Sequence, residues 1–383
     1  MKEVQIKNRF NLQTSALRAY TMLGALILIW LYFHWATDSV FLTSRNLSNL
    51  MLQTSVTGVL AVGMLMVIVA GQIDLSVGSV LGLAGGVAAI CLTNLGFGLM
   101  PSILAAILIA VSIGLVHGTL AAYGKIPAFI VTLGGLLAWR GAIKGISQSE
   151  TIRIENDIFI SIGQSYVAPI IGWILAGAAI LIILFFVFRQ MRAQKTYAVE
   201  GVNAANTFAV PAVQVVVVLA FIYVMNSYAG VPIPVLILLA IALAGVFITN
   251  NTTFGRYLYA VGGNADAARL SGINNERIIL WVYGLLGFCT GVAALIYTAR
   301  VGSASPDAGG LKELDAIAAC VIGGASLMGG RGTIFGACLG ALIMASLDNG
   351  MSLLNVKDFM QDIIKGSILV AAVGLDMVGR KQS

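Results

Sequence analysis

Charge is what this sequence has least of. Asp, Glu, Lys and Arg together make up 10% of its 383 residues, against roughly 25% in soluble domains. That is too little to cover a solvated surface. Histidine is reduced to His34 and His117, which lie in different apolar runs and lack HExxH spacing, so no zinc-hydrolase helix is present. There is no GxSxG nucleophile elbow and no GxxxxGK[ST] phosphate loop. The nearest approach, "YGKIP" at 123–127, has Thr119 in place of the first glycine and Ile126 in place of the hydroxyl residue. The chain therefore cannot hold ATP through a P-loop of its own. Cysteine is scarce as well: Cys91, Cys289, Cys320 and Cys338 all sit in apolar runs without disulfide or metal spacing, as buried packing residues do.

What is present is hydrophobic sequence, 59% of the chain, broken by 44 glycines. A spanning helix needs about 20 mainly apolar residues. Such stretches fall at 16–36, 48–70, 75–93, 101–122, 127–146, 168–189, 210–225, 233–250, 278–298, 316–328, 333–347 and 361–379. This pattern predicts an all-α polytopic membrane protein with about 12 crossings, two of them short or broken, and leaves no room for a soluble domain. The basic start "MKEVQIKNRFNLQTSALRAY" precedes a span-length run without a small-x-small cleavage site, so it reads as an uncleaved first span. With the N-terminus inside, Lys and Arg divide 14 cytoplasmic against 8 on the other face, the latter including Arg140, Lys312 and Lys365. The positive-inside rule then places both termini in the cytoplasm. Topology accounts for the net charge of +6, and no clustered basic face suggests nucleic acid.

Two segments echo one another. "DLSVGSVLGLA" (Asp74 to Ala84) and "DAIAACVIGGA" (Asp315 to Ala325) share Asp, Val, Gly and Ala at the first, seventh, ninth and eleventh places. They belong to the third and tenth spans and would enter the membrane from opposite faces, as in the inverted repeats of many transporters. The repeats would cover 48–146 and 278–379. Asp74 and Asp315 head their helices, where a carboxylate can accept from free backbone N–H groups; the other reading is a gate or a substrate contact. Ser76, Ser79, Asp348 and Asn349 are further polar residues beside short or broken spans, able to touch a polar substrate or to satisfy backbone groups freed at helix breaks. Glycines four apart, such as Gly287 and Gly291 or Gly336 and Gly340, indicate close helix packing. Trp30, Tyr32, Phe33 and Trp35 suit a lipid-facing, interfacial surface.

Residues 252–277, "TTFGRYLYAVGGNADAARLSGINNER", form a long and largely polar cytoplasmic loop. Asn264 can cap a short helix "ADAARL", with Asp266 in its first turn, Arg269 near its end and Gly272 stopping it. Such a rod suits insertion into a groove on a cytoplasmic partner, although a helix lying on the surface without a partner has the same pattern.

"QIDLSVGSVLGLAGG", "YAVGGNADAARLSGIN", "ELDAIAACVIGGASLMGGRGTIFGA" and "SLDNGMSLL" resemble the permease subunits of bacterial ABC sugar importers, the ribose, galactose and xylose group, and most nearly its D-xylose branch. The resemblance extends over nearly the whole chain. It implies a fold similar to that of the vitamin B12 importer, with ten spans in inverted repeats. It also implies a permease homodimer in the bacterial inner membrane, a periplasmic sugar-binding protein, and a cytoplasmic ATP-binding cassette protein that carries the ATP and Mg. This chain itself would bind no cofactor. By the same resemblance Gly263, Asn264, Ala267, Arg269, Leu270 and Gly272 belong to a coupling helix that docks in the cassette. Residues 150–230 depart from the ten-span pattern by supplying an extra span pair joined by a basic turn, "FRQMRAQK" (188–195).

The rival class is a stand-alone, ion-coupled secondary sugar transporter. It needs acidic or His residues near midplane, whereas the acids here cluster at the ends of the expected spans. An intramembrane enzyme lacks a catalytic set.

Overall fold

The computed structural model describes residues 21–196 and 204–380. Residues 16–20 of the expected first span, and Lys2, Lys7, Arg9, Arg18 and Lys381 of the charge count, lie outside them. Within the described residues the chain is almost entirely helical, and nine helices are long and apolar enough to cross a membrane. It is a multi-pass membrane protein.

After α1 (Thr21–Ala36), the centre of the bundle is α2 (Ser44–Val69), buried on all sides as a core helix must be when its apolar residues leave no polar face. Its Thr54 and Ser55 hydroxyls donate to the Leu50 and Met51 carbonyls, 2.8 Å each, so they ask nothing of their neighbours. Around it lie α9 (Ile233–Asn251), α12 (Asn275–Val301), α13 (Lys312–Ile322) and α14 (Ile334–Leu353). On the far side of α12 runs α4 (Leu99–Ala122), where Gly287 and Gly291 meet the α4 backbone at Ala110 and Ile107 as the glycine spacing predicts.

Within the described residues each of the twelve stretches expected to cross falls wholly or partly on a helix, with corrections to their lengths. The stretch 333–347 is not short: α14 runs 20 residues through Asp348 and Asn349, which had looked like a span end. The stretch 316–328 is broken earlier. Helix α13 has 11 residues, about 16 Å at 1.5 Å each, roughly half of a ~30 Å hydrocarbon core. It stops at Ile322 because Gly323 and Gly324 follow, the latter at φ +85°. The third crossing, α3 (Val77–Ala89), continues in a π-helical turn over Ile90–Asn94. In the extra pair, α7 (Pro169–Thr196) continues through "FRQMRAQK", so these residues are helix and not the expected turn; α8 (Ala204–Asn226) packs back on α7.

The break before α13 sets up the site. Gly302 ends α12 at φ +74°, and Ser303–Ala304 pairs antiparallel with Ile152–Arg153, between α5 (Ala128–Ile146) and α6 (Asp157–Gln164). The chain then dips between helices, where the Arg140 guanidinium donates to the carbonyls of Pro306 (3.0 Å) and Ala308 (2.7 Å). Arg140 is therefore not an outer-loop charge. It satisfies backbone groups left free where the helix is interrupted.

The aromatic expectation is half right. Tyr32 and Trp35 are exposed, but Phe33 stacks on Phe41 at 5.5 Å between ring centres, and Trp30 donates to Ser346 Oγ at 2.9 Å, both turned inward. Cys91, Cys289 and Cys320 are buried and Cys338 is half-buried, all as free thiols.

Candidate functional site

The loop 252–277 is more ordered than its polarity suggested. It opens with a helix that sequence reading missed, α10 (Thr253–Gly263), capped by the Thr252 hydroxyl on Gly255 N and burying Gly255, Leu258 and Val261. The three-residue spacing of those positions was its signal. Asn264 then breaks the chain into an extended conformation, and its side-chain oxygen accepts from Ala267 N at 2.9 Å, starting α11 (Ala265–Leu270) as expected. Gly272, at φ +84°, ends it.

Two contacts hold α11 against the start of α12. Asn275 Nδ2 donates to the Ala265 carbonyl at 2.8 Å, and Arg269 pairs with Glu276 at 2.9 Å. Ala268 is buried, whereas Gly263, Ala267 and Arg269 are exposed and Leu270 projects almost entirely free, at 91%. Of the six residues expected on a docking helix, Asn264 and Gly272 build it and the others present its surface.

The same loop is keyed to the segment after α13. Gly262 lies so close to the Val69 carbonyl and Gly330 N that no Cβ fits there. Gly330 N donates to Val69 O at 2.9 Å, and the Tyr259 hydroxyl donates to Gly332 O at 2.7 Å. Burial pushes the Tyr259 hydroxyl above its ordinary pKa. A displacement of α10–α11 would thus be felt directly by α2 and by the α13–α14 connection.

Asp74 lies before α3 at the same end of the bundle, 3% exposed. Its Oδ1 accepts from Ser76 N (2.6 Å) and Ser76 Oγ (2.7 Å), so Asp74 closes a turn just ahead of the helix and does not cap it as expected: Ser76 stands at the head of α3. His117 Nδ1 faces both Ser76 Oγ (3.3 Å) and Asp74 Oδ2 (3.6 Å), while its Nε2 accepts from Trp139 Nε1 at 3.0 Å. Serine and aspartate compete for one ring nitrogen and tryptophan occupies the other, so this is no Ser–His–Asp relay. The adjoining cavity, about 10 Å³, takes about one water. Ser79 donates to Ser76 O at 2.7 Å and is fully buried, a packing role.

Asp315 does not cap α13. It sits in the first turn, where Lys312 Nζ reaches its Oδ2 at 2.7 Å and Lys365 Nζ, from α15 (Asp358–Arg380), its Oδ1 at 3.4 Å. Both lysines also reach Asp348, at 3.9 and 3.3 Å. Two cations and two carboxylates thus compensate one another between α13, α14 and α15. Lys312 and Lys365, counted from sequence as outer-loop charges, lie inside the bundle, and the acids are not confined to span ends. The signal for Lys365 was its place within the apolar run 361–379.

Lys312, Asp348 and Lys365 line a cavity of about 280 Å³ together with Gln53, Thr57, Tyr297 and Arg300. Asn349 points elsewhere: its side-chain oxygen accepts from Asn46 Nδ2 at 2.8 Å and ties α14 to α2. The expected residues therefore separate into three places. Asp348 and Asp315 belong to the ion cluster, Asp74, Ser76 and Ser79 to the turn before α3, and Asn349 to a helix contact.

A profile of the family described as the permease component of branched-chain amino acid transport systems matches residues 46–373. Among curated proteins, the chain is 46% identical over 373 residues to a xylose transport system permease protein of Haemophilus influenzae, covering 97% of this chain and 100% of that one. Its counterpart in Escherichia coli K12 is 44% identical over 372 residues, 97% and 95% of the two chains. A ribose import permease protein of E. coli K12 is 36% identical over 336 residues, 88% and 87%. No solved structure matches the chain significantly.

Proposed function

The chain belongs to the permease-component family of branched-chain amino acid transport systems, and from that membership we propose that it is the membrane subunit of an ATP-driven, binding-protein-dependent importer of D-xylose. The observation that carries the sugar is the identity of 44 to 46% with xylose permeases over nearly full length, against 36% with a ribose permease. The chain is a transport subunit and not an enzyme; ATP, with Mg, is hydrolysed by a separate cytoplasmic cassette protein.

The rest of the assembly follows from this reading: a permease homodimer in the bacterial inner membrane, both termini cytoplasmic, served by a periplasmic sugar-binding protein. The internal placement of Arg140, Lys312 and Lys365 supports the orientation, because it removes three positive charges from the outer count. The helix lengths support the inverted repeats. Helices α2 to α5 have 26, 13, 24 and 19 residues and α12 to α15 have 27, 11, 20 and 23, each half a long helix, then a shorter one, then two of 19 to 24 residues. A likeness to the vitamin B12 importer fits such halves. The pair α7–α8 is the addition to the ten-span plan.

Transport proceeds by alternating access. Closure of the cassettes on ATP pushes α11, the coupling helix, and Tyr259 and Gly262 pass that displacement to α2 and to the segment leading into α14. The loaded binding protein biases the same equilibrium from outside, and each partner acts only through its different affinity for the two states. The ion-coupled alternative loses support despite the intramembrane acids, since Asp315 and Asp348 each already have two lysine partners. The test is purification of the tagged permease from its native membrane. Wild type retains a P-loop ATPase and Leu270→Asp loses it; wild type arriving without an ATPase, in conditions that preserve the complex, contradicts the reading.

A further inference from the structure

The cavity bounded by α2, α12, α13, α14 and α15 reaches into the bundle from the ends of α12 and α14, where Arg300 and Ser352 line it. Gln53 stands nine residues into α2 from Ser44, about 14 Å below that end at 1.5 Å per residue. A volume of about 280 Å³, at about 30 Å³ per water, has room for roughly nine waters, or for one monosaccharide with a few of them.

Its walls hold polar groups that the protein does not use. Thr54 and Ser55 turn their hydroxyls back to carbonyls of their own helix, but Thr57, on the same helix and lining the cavity, makes no hydrogen bond to any described residue. Neither does the Gln53 amide, nor the Tyr297 hydroxyl. Such groups at membrane depth need a polar occupant. Lys312 and Lys365 pair with Asp348 and Asp315, and Arg300, which also lines the cavity, donates to Asn49 Oδ1, so the cavity's charged groups are already engaged with one another or with the protein. Amides, hydroxyls, a carboxylate, two ammonium groups, the Arg300 guanidinium and a tyrosine ring match a polyol, whose hydroxyls each donate and accept and whose ring carbons can lie on an aromatic face.

We propose that this cavity is a sugar station within the permease, at which a monosaccharide released on the outer side is held by Gln53, Thr57 and Tyr297 against Asp348 before passage inward. The proposal rests on the sugar-importer reading. It is tested in proteoliposomes containing the permease, its cassette ATPase and its binding protein, with xylose uptake and ATP hydrolysis measured together. In Gln53→Leu and Thr57→Val the xylose moved per ATP falls at least fivefold, while Thr57→Ser, which keeps the hydroxyl, restores it to within twofold of wild type. A ratio within twofold of wild type in both Gln53→Leu and Thr57→Val, including the case where uptake and hydrolysis fall together, overturns the station but leaves the importer reading standing. Wild type moving no xylose overturns that reading and this proposal with it.

Discussion

Lys365 meets Asp315 at 3.4 Å although fifty residues separate them in sequence. This contact joins the last described helix to the broken one. Both side chains are largely buried, at 18% and 4% exposure, and removing one partner of a buried pair costs about 3–5 kcal/mol. Lys365→Met is expected to lower stability by an amount at the low end of that range, since Lys312 still faces both carboxylates. Lys365→Met with Asp348→Asn recovers part of the loss, because the excess carboxylate is neutralised. Thermal unfolding of the purified permease in detergent reads both.

On α11, exposure decides the outcome. Leu270→Asp changes a side chain that touches almost nothing, so permease stability stays within about 0.5 kcal/mol while retention of the ATPase is lost. Arg269→Glu weakens retention too, but it also breaks the pair with Glu276, so a slight loss in melting temperature accompanies it. Comparing co-purified ATPase with melting temperature separates the two variants.

Gly262 has no space for a methyl group between Val69 and Gly330. Gly262→Ala forces the coupling loop away from α2 and costs roughly 1–3 kcal/mol, as overpacking does. Gly263→Ala, where a Cβ meets open space, is nearly neutral. A melting difference between these adjacent substitutions checks the close approach.

Asn349 serves as a tie between helices. Asn349→Ala leaves the Asn46 Nδ2 with the Phe41 carbonyl as its one partner among the described residues and destabilises by about 1–2 kcal/mol. Xylose moved per ATP is unchanged in the assembled importer; a changed ratio would place Asn349 in the pathway after all.

The apolar helices were legible because hydropathy over span-length windows reports what lipid demands. The caps at Asn264 and Gly272 were legible because capping is local chemistry. What escaped depends on distant partners. Lys312, Lys365 and Arg140 looked like loop charges, since nothing in their neighbourhood announces Asp348 or the open carbonyls of Pro306 and Ala308. Asp315 and Asp74 looked alike from position alone, and the structure separates them by their partners: a backbone turn and His117 for one, two lysines for the other. Helix α10 was hidden by the glycines that let it pack tightly, Gly255 and Gly262, which read as breaks.

The most direct test is xylose uptake by proteoliposomes holding the permease, its cassette ATPase and its binding protein, with ATP inside and ion gradients dissipated by uncouplers. The account predicts accumulation that requires ATP and persists without the gradients. Uptake that collapses with the gradients while ATP remains, or that proceeds without the cassette, would contradict it.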